Sequence, residues 1–92
     1  LQGALAASQA PWKIVVFHHP PFSSGHWGSA DWMRWPFAAW GARLVLTGHD
    51  HTYERVVRDG LTYVVNGLGG GSRYARGFTG LEGSQIFFNA DH

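Results

Sequence analysis

Two short apolar runs constrain this chain more than anything else in it: Ile14-Val15-Val16-Phe17 and Leu44-Val45-Leu46. Neither alternates with polar residues, so neither has the pattern of a strand with one wet face. A continuous run of β-branched and aromatic side chains reads as a strand buried on both faces, as in a parallel sheet. The strands are expected over Lys13–Phe17 and Arg43–Thr47. Each run is followed by histidine, His18-His19 after the first and Gly48-His49-Asp50-His51 after the second.

The rest of the chain fits around them. Leu1, Leu5 and the alanines around Leu5 favour a helix that Pro11 ends. The end of a helix accounts for this stretch better than the tail of a signal peptide, because it has no basic start and no full apolar stretch. Pro20 to Ser29 holds two prolines, three serines and two glycines, and reads as a loop carrying His26 and Trp27. Trp32 to Trp40 is amphipathic enough for a helix, interrupted or restarted at Pro36 and ended by Gly41. Trp32, Trp35, Phe37 and Trp40 are expected to pack that helix on the sheet rather than to form a stacking platform. Asp59-Gly60 between Tyr53–Arg58 and Leu61–Asn66 predicts a β-hairpin. Gly67-Leu68-Gly69-Gly70-Gly71-Ser72 lacks the lysine of a phosphate-binding P-loop and reads as a tight connection passing close to a site. Arg73 to Gly83 is loop, and Ser84 to Asn89 returns to strand. The alternation makes the chain α/β. In such sheets ligands gather beyond the carboxyl ends of the strands, the edge at which both histidine clusters fall.

With 92 residues the chain makes at most one small domain. Five Trp and six Phe are many for that length and point to a core that continues beyond it. The net charge of +1 marks neither a nucleic-acid nor a membrane surface. No apolar run is long enough for a transmembrane helix. The absence of Cys excludes disulfides and thiolate zinc sites, so any metal must be held by nitrogen and oxygen. Neutral imidazole is the commonest such ligand and suits zinc, iron, nickel and copper. One His-x-His alone is more often two unrelated surface residues. Recurrence of histidine after a second apolar run raises the metal reading.

Three stretches in order carry a more specific signal: His18-His19-Pro20-Pro21-Phe22-Ser23-Ser24-Gly25, then Gly48-His49-Asp50-His51-Thr52-Tyr53-Glu54-Arg55, then Val64-Val65-Asn66-Gly67-Leu68-Gly69-Gly70. Together they resemble the calcineurin-like metallophosphoesterases, with the purple acid phosphatase branch the nearest in look. The resemblance implies part of an αββα sandwich and hydrolysis of a phosphate ester by metal-bound hydroxide at a dinuclear centre. Its two ions are usually drawn from iron, zinc and manganese. It further implies that His18 and His49 ligate one metal and His51 the other. By the same resemblance His26 is expected to be the loop histidine that faces the phosphate or the leaving group. His19 matches no ligand position and is expected to be structural. Tyr53, Glu54 and Arg55 are expected to brace the loop, and Asp50 to support the ligands or the fold.

The Asp-x-His, Gly-Asp-x-x-Asp (or Tyr) and Gly-Asn-His motifs of the family's first half do not occur here. Asp31, Asp50, Asp59 and Asp91 do not replace them on motif grounds. Residues 1–92 are therefore expected to be the carboxyl-side part of one catalytic domain, whose partner is the missing first half and whose substrate is a phosphate ester. Two other readings remain: a non-catalytic site in which His18, His49 and His51 hold a single ion, and a degenerate domain that keeps the fold alone. Substrate identity and compartment are open.

Overall fold

In the computed structural model, which describes residues 1–89, the two apolar runs become neighbouring parallel strands. Strand β1 is Ile14–Val16 and β2 is Leu44–Thr47, paired Ile14 with Leu44 and Val16 with Leu46. Strands β3 (Tyr53–Arg58) and β4 (Leu61–Asn66) form the hairpin. Asp59 and Gly60 at its tip have φ of 53° and 75°. Left-handed backbone at both positions matches the twist of a two-residue hairpin, and Asp-Gly tolerates it. β4 lies parallel to β2, and β5 (Ser84–Phe88) runs antiparallel to β3. The sheet order is β1-β2-β4-β3-β5. Asp91 lies outside the described residues.

One row of side chains crosses four strands of this sheet. Val15, Val45, Tyr63 and Val56 stand in register, and all are buried. Leu5, Phe22, Phe37 and Ala42 pack over the same face. Leu5 comes from helix α1, Gln2–Ala7, and the other three from the connection between β1 and β2. Phe37 is fully buried, with its ring centroid 5.5 Å from that of Phe17.

Two expectations are corrected here. The parallel strands are covered on one face, not both: Ile14 is 51% and Val16 71% exposed. Both α1 and the β1–β2 connection lie on the Val15 face, which leaves Ile14, Val16, Val57 and Ile86 open on the other. The helix expected over Trp32–Trp40 is also absent. A single 3-10 turn, Asp31–Met33, takes its place. Pro36 has no N–H and disfavours α backbone at Trp35, so no helix runs through it. Beyond Pro36 one turn closes, Trp40 N donating to Pro36 O at 3.1 Å. Gly41 then leaves it at φ 94°. Among the described residues no helix is long and apolar enough to cross a membrane.

Phe37 is the keystone of the covered face. Phe37→Ala is expected to cost about 3–5 kcal/mol and Phe37→Leu less than about 1.5. Urea unfolding followed by circular dichroism would check both.

Candidate metal centre

Adjacent parallel strands deliver their last residues to the same edge. Past the strand ends the ladder continues: Phe17 N donates to Leu46 O at 3.1 Å and Gly48 N to His18 O at 3.0 Å. His18 and His49 therefore leave the sheet side by side. His49 then takes φ 68°, a left-handed conformation that costs a non-glycine residue roughly 1–2 kcal/mol. Non-glycine strain of this kind concentrates at functional positions. Here it accompanies a ring brought back over β1, with Nδ1 3.1 Å from His18 Nε2. One of these nitrogens donates and the other accepts.

His19 joins them. Its ring centroid is 4.9 Å from that of His18 and 4.6 Å from that of His49. One nitrogen from each of the three rings lies within 4.8 Å of the others, the metal-capable group found among the described residues. His51 lies apart from this group. Its ring stacks on Tyr74 at 4.1 Å and Nδ1 meets Ser72 O. The glycine-rich connection presses on the same turn: a Cβ on Gly67 would collide with the Asp50 carbonyl, and one on Gly71 with the His51 ring. His26 is exposed, beyond Trp27, with centroids 4.8 Å from Trp27 and 5.6 Å from Tyr74.

Burial holds the His49 pKa below its ordinary 6.5. The charge of His19 adds to this, as do His18 and His51, while Asp50 opposes it. Neutral imidazole is the form that binds metal. Three converging nitrogens, one of them biased to the neutral state, fit an imidazole-preferring ion such as zinc or iron.

Two buried carboxylates hold the His26 loop against this turn. Asp50 and Glu54 are both fully buried. Asp50 accepts from Ser23 Oγ at 2.6 Å and from Trp27 N at 2.8 Å. Glu54 accepts from Ser24 N at 2.6 Å, Ser24 Oγ at 2.7 Å and Ser84 Oγ at 2.6 Å. A buried carboxylate is tolerated only when hydrogen-bonded in this way. Gly25 makes the approach possible, since a Cβ there would sit 2.5 Å from Asp50 Cγ. Of the other two residues expected to brace the loop, Tyr53 is half-buried and Arg55 exposed. Both lie on the open face of β3.

A model of the calcineurin-like phosphoesterases matches residues 2–53, more than half of the chain. The chain belongs to the calcineurin-like phosphoesterase family. It is similar to a phosphoenolpyruvate phosphatase from Allium cepa, 35% identical over an alignment of 72 residues, which covers 72% of this chain and 15% of that protein. Its fold is similar to that of GAP50, the anchor in the inner membrane complex of Plasmodium. The TM-score is 0.79 at 21% identity, over 94% of this chain and 28% of the other. The chain thus spans well under a third of either relative.

All three residues of the histidine group fall within the stretch that the family model matches. Motif reasoning had not anticipated that His19 stands with His18 and His49, or that Ser23, Ser24 and Ser84 pair with the carboxylates. Adjacent histidines at a strand end were the available signal for His19. No signal in the sequence marked Ser84. The aromatic packing expectation holds for Phe37, buried in the core, and for Trp40, partly buried against it, while Trp35 touches both rings but stands 43% exposed. It does not hold for Trp32, which stands 65% exposed against His19.

Because the folded chain lowers the His49 pKa, the unfolded chain takes up its proton first as pH falls. The stability tied to neutral His49 is then complete above 6.5 and lost as pH drops through the lowered folded value. NMR titration of the metal-free protein should place the His49 midpoint below 6.5. In His19→Ala, with one positive neighbour gone, it should move up.

Proposed function

We propose that this chain is the carboxyl-side part of the catalytic domain of a phosphoric ester hydrolase, an acid phosphatase or phosphodiesterase of the purple acid phosphatase-like branch. The site uses two ions from among iron, zinc and manganese. The observation that carries the reading is the His18–His49 pair at the ends of adjacent parallel strands, with ring nitrogens 3.1 Å apart. In this reading His18 and His49 hold one ion and His51 the other. His51 is close enough for its charge to act on His49, and both sit on the turn that Asp50 anchors. When bound, a pair of ions supplies Lewis acidity and lowers the pKa of a water molecule that attacks phosphorus.

The chain's own side chains supply the rest. A ring N–H of protonated His26 donates to the ester oxygen as it departs. Asp50 fixes that loop through the Trp27 amide, and Glu54 fixes it through Ser24. The remaining metal ligands come from the preceding half of the same domain, which lies over the open sheet face. A groove of about 490 Å³, lined by Val16, Leu46, Val64 and Asn66, opens beside His18 and supports this placement. The segment alone is then inactive.

One observation favours a second reading, a single-ion site without turnover. His19, not His51, converges with His18 and His49. Elemental analysis and phosphate-ester turnover on the same samples of the longer protein separate the two. The dinuclear reading predicts two metals per chain, one of them lost in His51→Ala and both retained in His19→Ala. The single-ion reading predicts the reverse sensitivity and no turnover. His26→Ala should keep its metal and lose on the order of 10²-fold in rate.

A further inference from the structure

The two indoles that border the histidine group take no part in the core. The centroid of Trp27 is 5.7 Å from that of His49, and the centroid of Trp32 is 5.2 Å from that of His19. They are 58% and 65% exposed. Trp27 has His49 and His26 beside it, the latter 4.8 Å away, and Trp32 has His19, and more than half of each residue stays open to solvent. Both are rooted in held backbone. The Trp27 amide donates to buried Asp50 at 2.8 Å. Trp32 sits in the 3-10 turn, where Arg34 pairs with Asp31 at 3.3 Å and donates through Nε to Pro21 O at 2.9 Å. Large apolar rings held in place and left open beside polar groups are the usual makings of a recognition surface.

We propose that Trp27 and Trp32 receive the organic part of the ester and select a planar aromatic ring. The inference rests on the phosphoesterase reading and names its substrate class: phosphate monoesters of phenols or of heteroaromatic-bearing alcohols. A phosphate held at the histidine group has an indole on the His49 side and another on the His19 side, against which its substituent can lie. An aromatic substituent covers indole surface that an aliphatic polyol leaves wet. Because the rings are already positioned, little ordering cost opposes the stacking. Such stacking is worth on the order of tenfold in affinity per ring.

The test uses the full-length, metal-loaded protein that contains this segment. Phenylphosphonate and methylphosphonate, which cannot be hydrolysed, are titrated by calorimetry. KM is measured for phenyl phosphate and glycerol 2-phosphate. Phenylphosphonate should bind about tenfold more tightly than methylphosphonate. Trp27→Ala and Trp32→Ala should each erode that preference, and together abolish it. In both variants KM should rise for phenyl phosphate and hold for glycerol 2-phosphate. Trp27→Phe and Trp32→Phe should restore most of the preference. Trp12→Ala, 68% exposed at the opposite end of β1, should leave it intact. Equal binding of the two phosphonates, or a preference that survives both Ala substitutions, overturns the proposal. Failure to hydrolyse either ester, with the phosphonate preference intact and dependent on the two indoles, strikes the hydrolase reading alone and supports the aromatic surface.

Discussion

Two carboxylates sealed from solvent organise the functional edge of this chain. Asp50 and Glu54 belong to one short segment, and between them they accept five hydrogen bonds from Ser23, Ser24, Trp27 and Ser84. Removing a carboxylate from water is expensive, and the cost is offset only when strong donors replace the lost solvent. The serine hydroxyls and the two loop amides are those donors. The arrangement ties three distant pieces of chain together: the loop after β1, the stretch from the turn after β2 into β3, and the start of β5. Breaking any one contact leaves a buried acceptor short of a partner, so the loop cannot drift without a penalty.

The sheet supplies the second element of the design. Parallel pairing of β1 with β2 brings His18 and His49 to one edge, and the left-handed backbone at His49 turns its ring toward His18. Burial and the charge of His19 hold the pKa of that ring below its ordinary value. Asp50 links the two elements, because its side chain holds the loop while its backbone lies in the histidine turn, against Gly67. A disturbance of the loop is therefore felt at the histidine turn.

Much of this was legible in the sequence, for physical reasons. The apolar runs marked the strands because β-branched residues without a helical period suit little else. Asp59-Gly60 marked the hairpin because few residue pairs accept positive φ twice. The site edge followed from histidines placed after two strands in an α/β alternation. The open sheet face was not legible, since an apolar run looks the same whether its cover comes from this chain or from elsewhere. The helix over Trp32–Trp40 failed because Pro36 outweighed its amphipathic pattern. The partners of Asp50 and Glu54 lie 23 to 30 positions away, beyond any local periodicity. The grouping of His19 rather than His51 depends on ring directions set by the His49 turn and the glycine-rich segment, which spacing alone does not encode.

The most direct measurement is amide hydrogen exchange, residue by residue, in the native protein and in Asp50→Ala. If the carboxylate clamps the loop onto the histidine turn, the Trp27 amide should exchange roughly tenfold or more faster in the variant, the scale of a lost charge-assisted hydrogen bond. Amides of β2 and β4 should keep their protection. Unchanged exchange at Trp27, or equal loss of protection across the whole sheet, would contradict the account.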